Sequence, residues 1–330
     1  MKLLCITDPS THPSFDTTLS LYRRFAADPE IDFFHTPVSK VDASGFFQAA
    51  SVTGKLSNED FMRLDGQTLT QLSPSEVDLV FCRADEPVPK DFFENLAQLE
   101  DVVQFVNRPS QLSYTRCKDF LEECGKQYLP DHIFSSTYDE IESFFKRFHP
   151  IVAKSNVGYG GKGVYKIWQQ GNRVFTDNVG EGSREYSSLK EVLDHLFKID
   201  SGSAYEFVRY LKNIDAGDKR ILVVSGDVYG AFLRKAKTDT WVHNVTSGAG
   251  YHRSDITERE FQVIENTYGH YQNRGVHTLG YDFLMDDDGE WILSEVNAGN
   301  IGGYDWLEEI TGEPVVARLV QWIKDFARAD

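Results

Sequence analysis

The chain has 330 residues, enough for about two domains. With 41% apolar and 26% charged residues it has an ordinary globular composition, which excludes a disordered, collagenous or coiled-coil chain. Lys plus Arg number 34 and Asp plus Glu 51, a net charge of −17, so nucleic acid and anionic lipid are poor partners and any phosphate site must be a local exception. Four cysteines (Cys5, Cys82, Cys117, Cys124) form neither a disulfide framework nor a CxxC zinc pattern. The apolar run after Met1 is too short for a signal peptide, and no segment is long enough to span a membrane. A reducing, cytoplasmic location is expected.

Leu3–Thr7 reads as a first strand, stopped by Asp8-Pro9. Asp16 to Ala27 has helical spacing, with Leu19, Tyr22 and Phe25 on one face, and Asp16-Thr17-Thr18 suits an N-cap. Val77–Cys82 is a near-continuous apolar run, as in a strand buried on both faces, and Val102–Asn107 is another strand. Alternating strands and helices predict a small doubly wound α/β unit over about the first 110 residues. Thr115–Cys124 reads as a short helix, Pro130–Phe134 as extended and Thr137–Phe148 as an amphipathic helix with acids first and bases last. Ile151–Ser155 and Val164–Gln169 are strands around a glycine-rich turn. Further strands follow at Tyr205–Val208, Arg220–Val224, Val228–Leu233, Tyr281–Met285 and Trp291–Val296, with a final helix near Val315–Ala329. Asp227 beside Gly226 reads as a hairpin turn. The boundaries of three units fall near 115 and 203.

Gly158-Tyr159-Gly160-Gly161-Lys162-Gly163 matches GxGxxG, but the following Val164-Tyr165-Lys166-Ile167-Trp168 favours a strand, whereas a dinucleotide fingerprint needs a helix there. Gly163 also stands where a Walker A loop needs Ser or Thr. What remains is a hairpin whose glycines cost roughly 0.5–1 kcal/mol each in backbone entropy. Their return is close backbone approach, with N–H groups that can cradle phosphate, and Lys154 on the entering strand offers a cation to the same phosphates. An unliganded surface hairpin fits the same residues.

Asp286-Asp287-Asp288-Gly289 is a hairpin turn, so the strands carrying Asp282 and Glu295/Asn297 should run antiparallel. Glu295 and Asn297 lie two apart and share a face, and Asp282 sits on the partner strand. Oxygen ligands without His or Cys suit a hard ion such as Mg²⁺. Three polar residues on a solvated sheet face are the alternative. An EF-hand reading fails, because Leu284 stands where the first Asp is needed. Glycine loop and carboxylates together point to a nucleoside triphosphate.

At these residues the chain resembles the ATP-grasp carboxylate–amine ligases, most of all the bacterial glutathione synthetase branch. The resemblance runs from Thr7-Asp8-Pro9 to Asn297. Its motifs are Asp78 to Pro87, Asn107-Arg108-Pro109 with Lys118, Lys154 with Gly158–Gly163, Ala216-Gly217-Asp218-Lys219-Arg220-Ile221-Leu222-Val223-Val224, Asn244 with Gly248, and Asp282, Glu295 and Asn297. It implies an ATP-grasp α/β architecture: a Rossmann-like, doubly wound N-terminal substrate domain (1–115), a central lid domain with the glycine loop (116–203) and a C-terminal domain with magnesium and substrate sites (204–330).

The resemblance also implies roles. Lys118, Lys154, Gly158, Gly160 and Gly161 would bind ATP phosphates, backbone groups among Val208, Tyr210 and Leu211 the adenine, and Asp218 would face the ATP. Arg220, with Lys154, would be catalytic, stabilising the acyl phosphate and the tetrahedral intermediate. Asp282, Glu295 and Asn297 would hold two Mg²⁺ ions, with Mn²⁺ as a substitute. Arg83, Asp16, Asn244, Gly248, Arg234 and Lys235 would meet the acid and amine substrates. The expected reaction is carboxylate attack on the γ-phosphate, then amine attack on the acyl phosphate, with γ-glutamylcysteine and glycine as the first substrates to consider. A different γ-glutamyl or peptide acid is the alternative, and a non-catalytic nucleotide-binding protein a further one. Family analogy suggests a homo-oligomer.

Departures cluster where substrates are read. Ala84 and Glu86 replace a lysine and a proline of the family pattern, and Lys235 stands where the family has arginine, with Arg234 beside it. Ala298–Gly303 replaces a Thr-Ser-Pro run, and Trp241 adds a large aromatic near the expected substrate. His12, His243 and His252 read as ordinary solvated or core histidines.

Overall fold

In the computed structural model, residues 1–12, 16–85, 87–156, 163–199, 204–236, 241 and 250–329 are described. The first sheet contains β1 (Lys2–Ile6), β2 (Asp32–Thr36), β3 (Phe47–Ser51), β4 (Thr70–Leu72), β5 (Leu79–Cys82) and β6 (Gln104–Val106), in the order β4-β3-β2-β1-β5-β6. β2, β1, β5 and β6 run parallel, while β3 and β4 extend one edge antiparallel. The fully buried Leu3–Ile6 and Leu79–Phe81 occupy the centre, as their unbroken apolar runs require. Helices α1 (Thr17–Ala27), α2 (Asn58–Met62) and α3 (Phe92–Ala97) belong to this part of the chain, and Asp16 caps α1 by accepting from Thr18 N at 2.6 Å. Helices α4 (Pro109–Thr115) and α5 (Lys118–Gly125) replace the single helix expected over 115–124.

The second sheet is antiparallel throughout: β7 (His132–Ser135), β8 (Ile151–Ser155), β9 (Val164–Gln170), β10 (Arg173–Asn178), β11 (Gly182–Tyr186) and β12 (Tyr205–Arg209), in the order β11-β10-β9-β8-β12-β7. Helices α6 (Tyr138–Phe148) and α7 (Leu189–Ile199) cover it with Ile141, Phe145, Val192 and Leu196. The chain crosses the boundary expected at 203 before this sheet is complete, because β12 pairs with both β8 and β7. The boundary expected at 115 likewise falls before α5, whose Phe120, Leu121 and Cys124 pack in the core of the third sheet.

That third sheet, also antiparallel, contains β13 (Asp218–Val224), β14 (Asp227–Lys235), β15 (Gly250–Ser254), β16 (Thr278–Met285) and β17 (Trp291–Ala298), in the order β15-β14-β13-β16-β17. Its helix α8 (Glu258–Gln272) starts with a Thr257/Glu260 capping box. The β13–β14 turn uses the left-handed Ser225 (φ 51°) and Gly226 (φ 87°), so Asp227 opens β14 and is not the turn itself. Helices α9 (Tyr304–Thr311) and α10 (Val315–Phe326) weld the third sheet to the first: Leu307, Leu319 and Ile323 share one core with Leu3, Tyr22 and Phe25 and with Val224 and Phe232. Asn107, itself left-handed (φ 62°), adds a polar rivet, accepting from His277 N at 2.7 Å and Thr278 N at 3.0 Å and donating to Thr278 Oγ1 at 2.6 Å. No helix among the described residues is long and apolar enough to cross a membrane.

Candidate active site

Alternation along β13 sorts its charged residues. Asp218 and Arg220 share one face, and Lys219 takes the other, where it pairs with Glu260 at 2.9 Å. Register then sets the partners: Arg220 stands opposite Asp282 on β16, and Asp218 opposite Arg234 on β14. Arg220 grips Asp282 with both arms of its fork, Nε to Oδ1 at 2.7 Å and Nη2 to Oδ2 at 2.6 Å. Arg234 Nη2 bridges Asp218 Oδ2 at 2.5 Å and Asp282 Oδ2 at 2.9 Å. Gly280 gives Arg220 its room, since a Cβ there would lie 3.3 Å from Arg220 Nε.

The same burial acts differently on the two carboxyls. It pushes Asp218 up to about 7, with Arg234 opposing. Burial also works to raise Asp282, but Arg220 and Arg234 outweigh it and hold it below the usual carboxylate range.

Glu295 stands opposite Asp282 on β17, next to an irregularity in the β16 register. Its Oε1 lies 3.1 Å from Nζ of Lys118, the first residue of α5. Burial disfavours the Lys118 charge, yet Glu295 and Glu206 overcome it and raise its pKa. The start of α5 is tied to the chain entering the glycine loop: Asn156 O accepts from Lys118 N at 3.2 Å, and Asn156 Oδ1 from Asp119 N at 3.3 Å. Lys154 on β8 faces Glu206 on β12, with Nζ 3.5 Å from Oε2, and also donates to Ser294 O and Oγ at 3.4 Å. Lys118 and Lys154 thus converge on the carboxylate strand from two separate elements.

β8 and β9 form the expected strand–loop–strand pair, with Lys154 opposite Val164. Gly163 closes it against Ser155, whose Oγ a Cβ would approach to 2.1 Å. Gly158, Gly160 and Gly161 lie outside the described residues, as do Asn244 and Gly248.

After β12 the chain is pinned at successive amides. Arg209 N donates to Asp131 O at 2.9 Å, Tyr210 N to Pro150 O at 3.2 Å and Lys212 N to Asp287 Oδ1 at 2.8 Å. Within this run, Leu211 N has no partner among the described residues. Val208 is buried in the sheet between Val152 and His132, and Lys166 Nζ sits 3.9 Å over the Tyr210 ring.

The carboxyl edge of the first sheet supplies a separate polar cluster. Arg83, 2% exposed, donates to Thr18 Oγ1 at 3.0 Å and Ile301 O at 2.8 Å. Its guanidinium is a buried strut between α1 and the loop after β17. Asp16, besides capping α1, lies 3.2 Å from Nδ1 of the buried His12. Asn300 reaches Arg83 O at 3.1 Å and Asp85 Oδ1 at 2.5 Å, and Thr17 bonds Asp305 Oδ1 at 2.5 Å and Gly303 N at 3.0 Å. The Ala298–Gly303 departure is therefore docking sequence: it seats the loop on the first sheet. Gly303 (φ 103°) opens α9, and a Cβ there would strike Phe232 Cζ at 2.4 Å.

Of the adjacent pair, Arg234 enters the cluster and Lys235 is exposed on the opposite side of β14. Trp241 donates from Nε1 to Asp177 Oδ2 at 2.6 Å, so its indole rests on β10 of the second sheet. His12 is a core histidine and His252 is exposed; His243 lies outside the described residues. Sequence reasoning missed Glu206, Gly280, Asn300 and Asp305. For Glu206 the signal was present, an acid inside the apolar run Tyr205–Val208.

Asp282, Glu295 and Asn297 do come together: Asn297 Nδ2 donates to Asp282 Oδ2 at 2.9 Å, and Asp282 faces Glu295 in register. Among the described residues no three His, Cys, Asp or Glu side chains are grouped to hold a metal, so an ion here would need the Asn297 amide beside the two carboxylates. Two carboxylates and an amide fit a hard divalent ion that keeps positions for water and phosphate oxygens. The buried, unpartnered Asp218 Oδ1 marks further unmet polar capacity beside them.

A family profile, prokaryotic glutathione synthetase, ATP-grasp domain, matches residues 121–312, more than half of the chain. The chain belongs to this family of ATP-grasp ligases, enzymes that form carbon–nitrogen bonds. Its similarity to a glutathione synthetase of Mesorhizobium japonicum is 26% identity over 246 residues, covering 74% of this chain and 72% of that one. To a glutathione synthetase of Neisseria meningitidis it is 22% over 329 residues, covering 96% of each. Its fold is similar to that of a D-cycloserine synthetase (TM-score 0.65, 12% identity, 100% and 99% coverage) and of the D-alanine–D-alanine ligase of Coxiella burnetii (0.63, 11%, 100% and 95%). The family profile spans the β8–β9 hairpin and Asp282, Glu295 and Asn297.

Proposed function

We propose that this ligase joins a carboxylic acid to an amine at the expense of ATP, through an acyl phosphate. The observation that carries the reading is the gathering of four cations at one place: Lys118 on Glu295, Arg220 and Arg234 on Asp282, and Lys154 on Glu206 and Ser294, in a chain whose net charge is −17. These bases offset the acids beside them, so the site escapes the net negative charge that elsewhere repels phosphate, and its two lysines can turn to an incoming anion.

The residues divide the work. Leu211 N offers its donor to the base, which narrows the adenine contact to one amide of the expected Val208–Leu211 run. Lys118 and Lys154 meet the phosphates, and Asp218 borders them. Asp282, Glu295 and Asn297 would hold Mg²⁺, which when bound neutralises phosphate charge and orients the terminal group. The acid's carboxylate oxygen attacks the γ-phosphorus, and ADP leaves. The amine then attacks the acyl carbon, phosphate leaves with the carboxylate oxygen, and the amine's proton is released. Arg220 and Arg234, already oriented, stabilise oxyanion charge during both steps. No side-chain nucleophile is required; positioning and charge supply the rate.

Glutathione synthetase-like chemistry, γ-glutamylcysteine plus glycine, is the first reading of the substrates. A different γ-glutamyl or peptide acid is the second. It is favoured by the buried Arg83, whose donors meet Thr18 and Ile301, and by the exposed Lys235. The test is phosphate release from ATP with Mg²⁺, γ-glutamylcysteine and glycine, followed by mass analysis of the product. A product one water lighter than the summed substrates supports the first reading. Release only with other pairs supports the second. Bound ATP with no release across a panel of acids and amines contradicts both.

A further inference from the structure

We infer that Lys118 is a resident counter-ion of Glu295 that keeps the divalent-cation site closed until nucleotide draws the lysine away. The inference rests on the ligand reading of Asp282, Glu295 and Asn297 and concerns the order in which that site fills.

Charge balance carries it. Asp218, Asp282, Glu295 and Glu206 are matched by Arg234, Arg220, Lys118 and Lys154, four acids against four bases. A cluster neutralised from within offers a dication little net attraction, although the chain as a whole is acidic. An ion bound at Glu295 would also sit beside a lysine ammonium 3.1 Å from the same carboxylate, two cations on one acid.

The four bases are not equally free to yield. Arg220 is fixed by two parallel bonds to Asp282, and Arg234 bridges two acids. Lys118 makes one contact to Glu295 through a flexible stem with three rotatable donors. It stands at the first turn of α5, joined through Asn156 to the chain that enters the glycine loop. A triphosphate held by Lys118 and Lys154 brings several negative charges to the Lys118 ammonium. As the ammonium turns to phosphate, the Glu295 carboxylate loses its counter-ion and is free to meet a metal. Nucleotide and metal then bind with positive coupling, and the coupling is reciprocal.

The test measures Mn²⁺ binding to the intact, nucleotide-free protein by the loss of the free-ion EPR signal, with circular dichroism confirming the fold. Wild type should bind weakly, and Lys118→Met at least tenfold more tightly, equivalent to about 1.4 kcal/mol. Lys118→Gln serves as a second variant should the first fold poorly. Adding Glu295→Gln to either should return binding to the wild-type level. Tight binding by nucleotide-free wild type, or no gain in either lysine variant, overturns the counter-ion role. A gain that survives Glu295→Gln places the ion elsewhere and overturns it too. If a non-hydrolysable ATP analogue carries Mn²⁺ onto wild type while the lysine variants gain nothing without it, the ligand set stands and the counter-ion role falls. No uptake of Mn²⁺ under any condition overturns the ligand set and the inference together.

Discussion

Arg220 and Asp282 face each other across neighbouring antiparallel strands, and the arginine fork takes both carboxylate oxygens at 2.7 and 2.6 Å. The pairing holds the guanidinium in one orientation, and on the proposed mechanism that is where substrate charge develops, without reorganisation during the reaction. Lysine cannot reproduce the fork. Arg220→Lys should lower kcat by roughly a hundredfold while leaving KM for ATP nearly unchanged. A steady-state comparison that finds the loss in KM for ATP would assign Arg220 to nucleotide binding instead.

Lys219, between two site residues, serves the opposite face. Its ammonium lies 2.9 Å from Glu260 Oε1, donates to Asp255 O at 3.0 Å and sits 4.3 Å over the Trp291 ring, with both partners of the ion pair essentially inaccessible. Lys219→Met leaves a buried carboxylate without its cation and should cost about 3–5 kcal/mol by denaturant melts. The double variant with Glu260→Gln should recover most of that loss. Equal destabilisation in single and double variants would place the cost in packing.

Burial lowers the pKa of His277, whose ring lies 4.8 Å from that of Phe326. In the unfolded chain the imidazole titrates near its ordinary value of about 6.5. Below that pH the unfolded state takes up a proton that the folded state resists. Stability should therefore fall as pH drops through about 6.5 toward 5. His277→Phe, which keeps the ring, should flatten this part of the Tm–pH curve. An unchanged slope would assign the acid sensitivity to other groups.

The hairpin acids read as a simple turn have a second use. Asp287 takes Arg209 Nη1 at 2.7 Å and Lys212 N at 2.8 Å, and Asp286 O takes Asn213 Nδ2 at 2.6 Å. These bonds clamp the segment that presents Leu211. Asp287→Ala should raise KM for ATP roughly tenfold, about 1.4 kcal/mol, with kcat and the amine KM little changed. A uniform loss across all three parameters would indicate a general disturbance.

Much of this was legible in residue order. Ile151–Ser155 and Trp291–Val296 were readable because strand periodicity and turn residues agree there. The glycine loop's strands, the Asp286–Gly289 turn and the juxtaposition of Asp282 with Glu295 followed from alternation and hairpin geometry alone. Short or mixed segments were not legible: β2 to β4, β10, β11, β15, α2, α3, α8 and α9 went unread, and α7 went unread although its apolar residues line one face as clearly as those of α6. Nor could one sequence choose between Arg234 and Lys235, since neighbours on a strand point to opposite faces and register decides which is inward. Partners distant in the chain, such as Arg83 with Ile301 and Asn107 with His277, depend on how the first and third sheets meet, which local pattern does not encode.

Transfer of a carboxylate oxygen to phosphate is the event on which the whole account turns. With whichever acid supports turnover, the carboxyl is labelled with oxygen-18 and the inorganic phosphate is analysed by mass. Acyl-phosphate chemistry at this site should place one labelled oxygen in the phosphate and leave the other in the amide. Unlabelled phosphate accompanying a true amide product would contradict it.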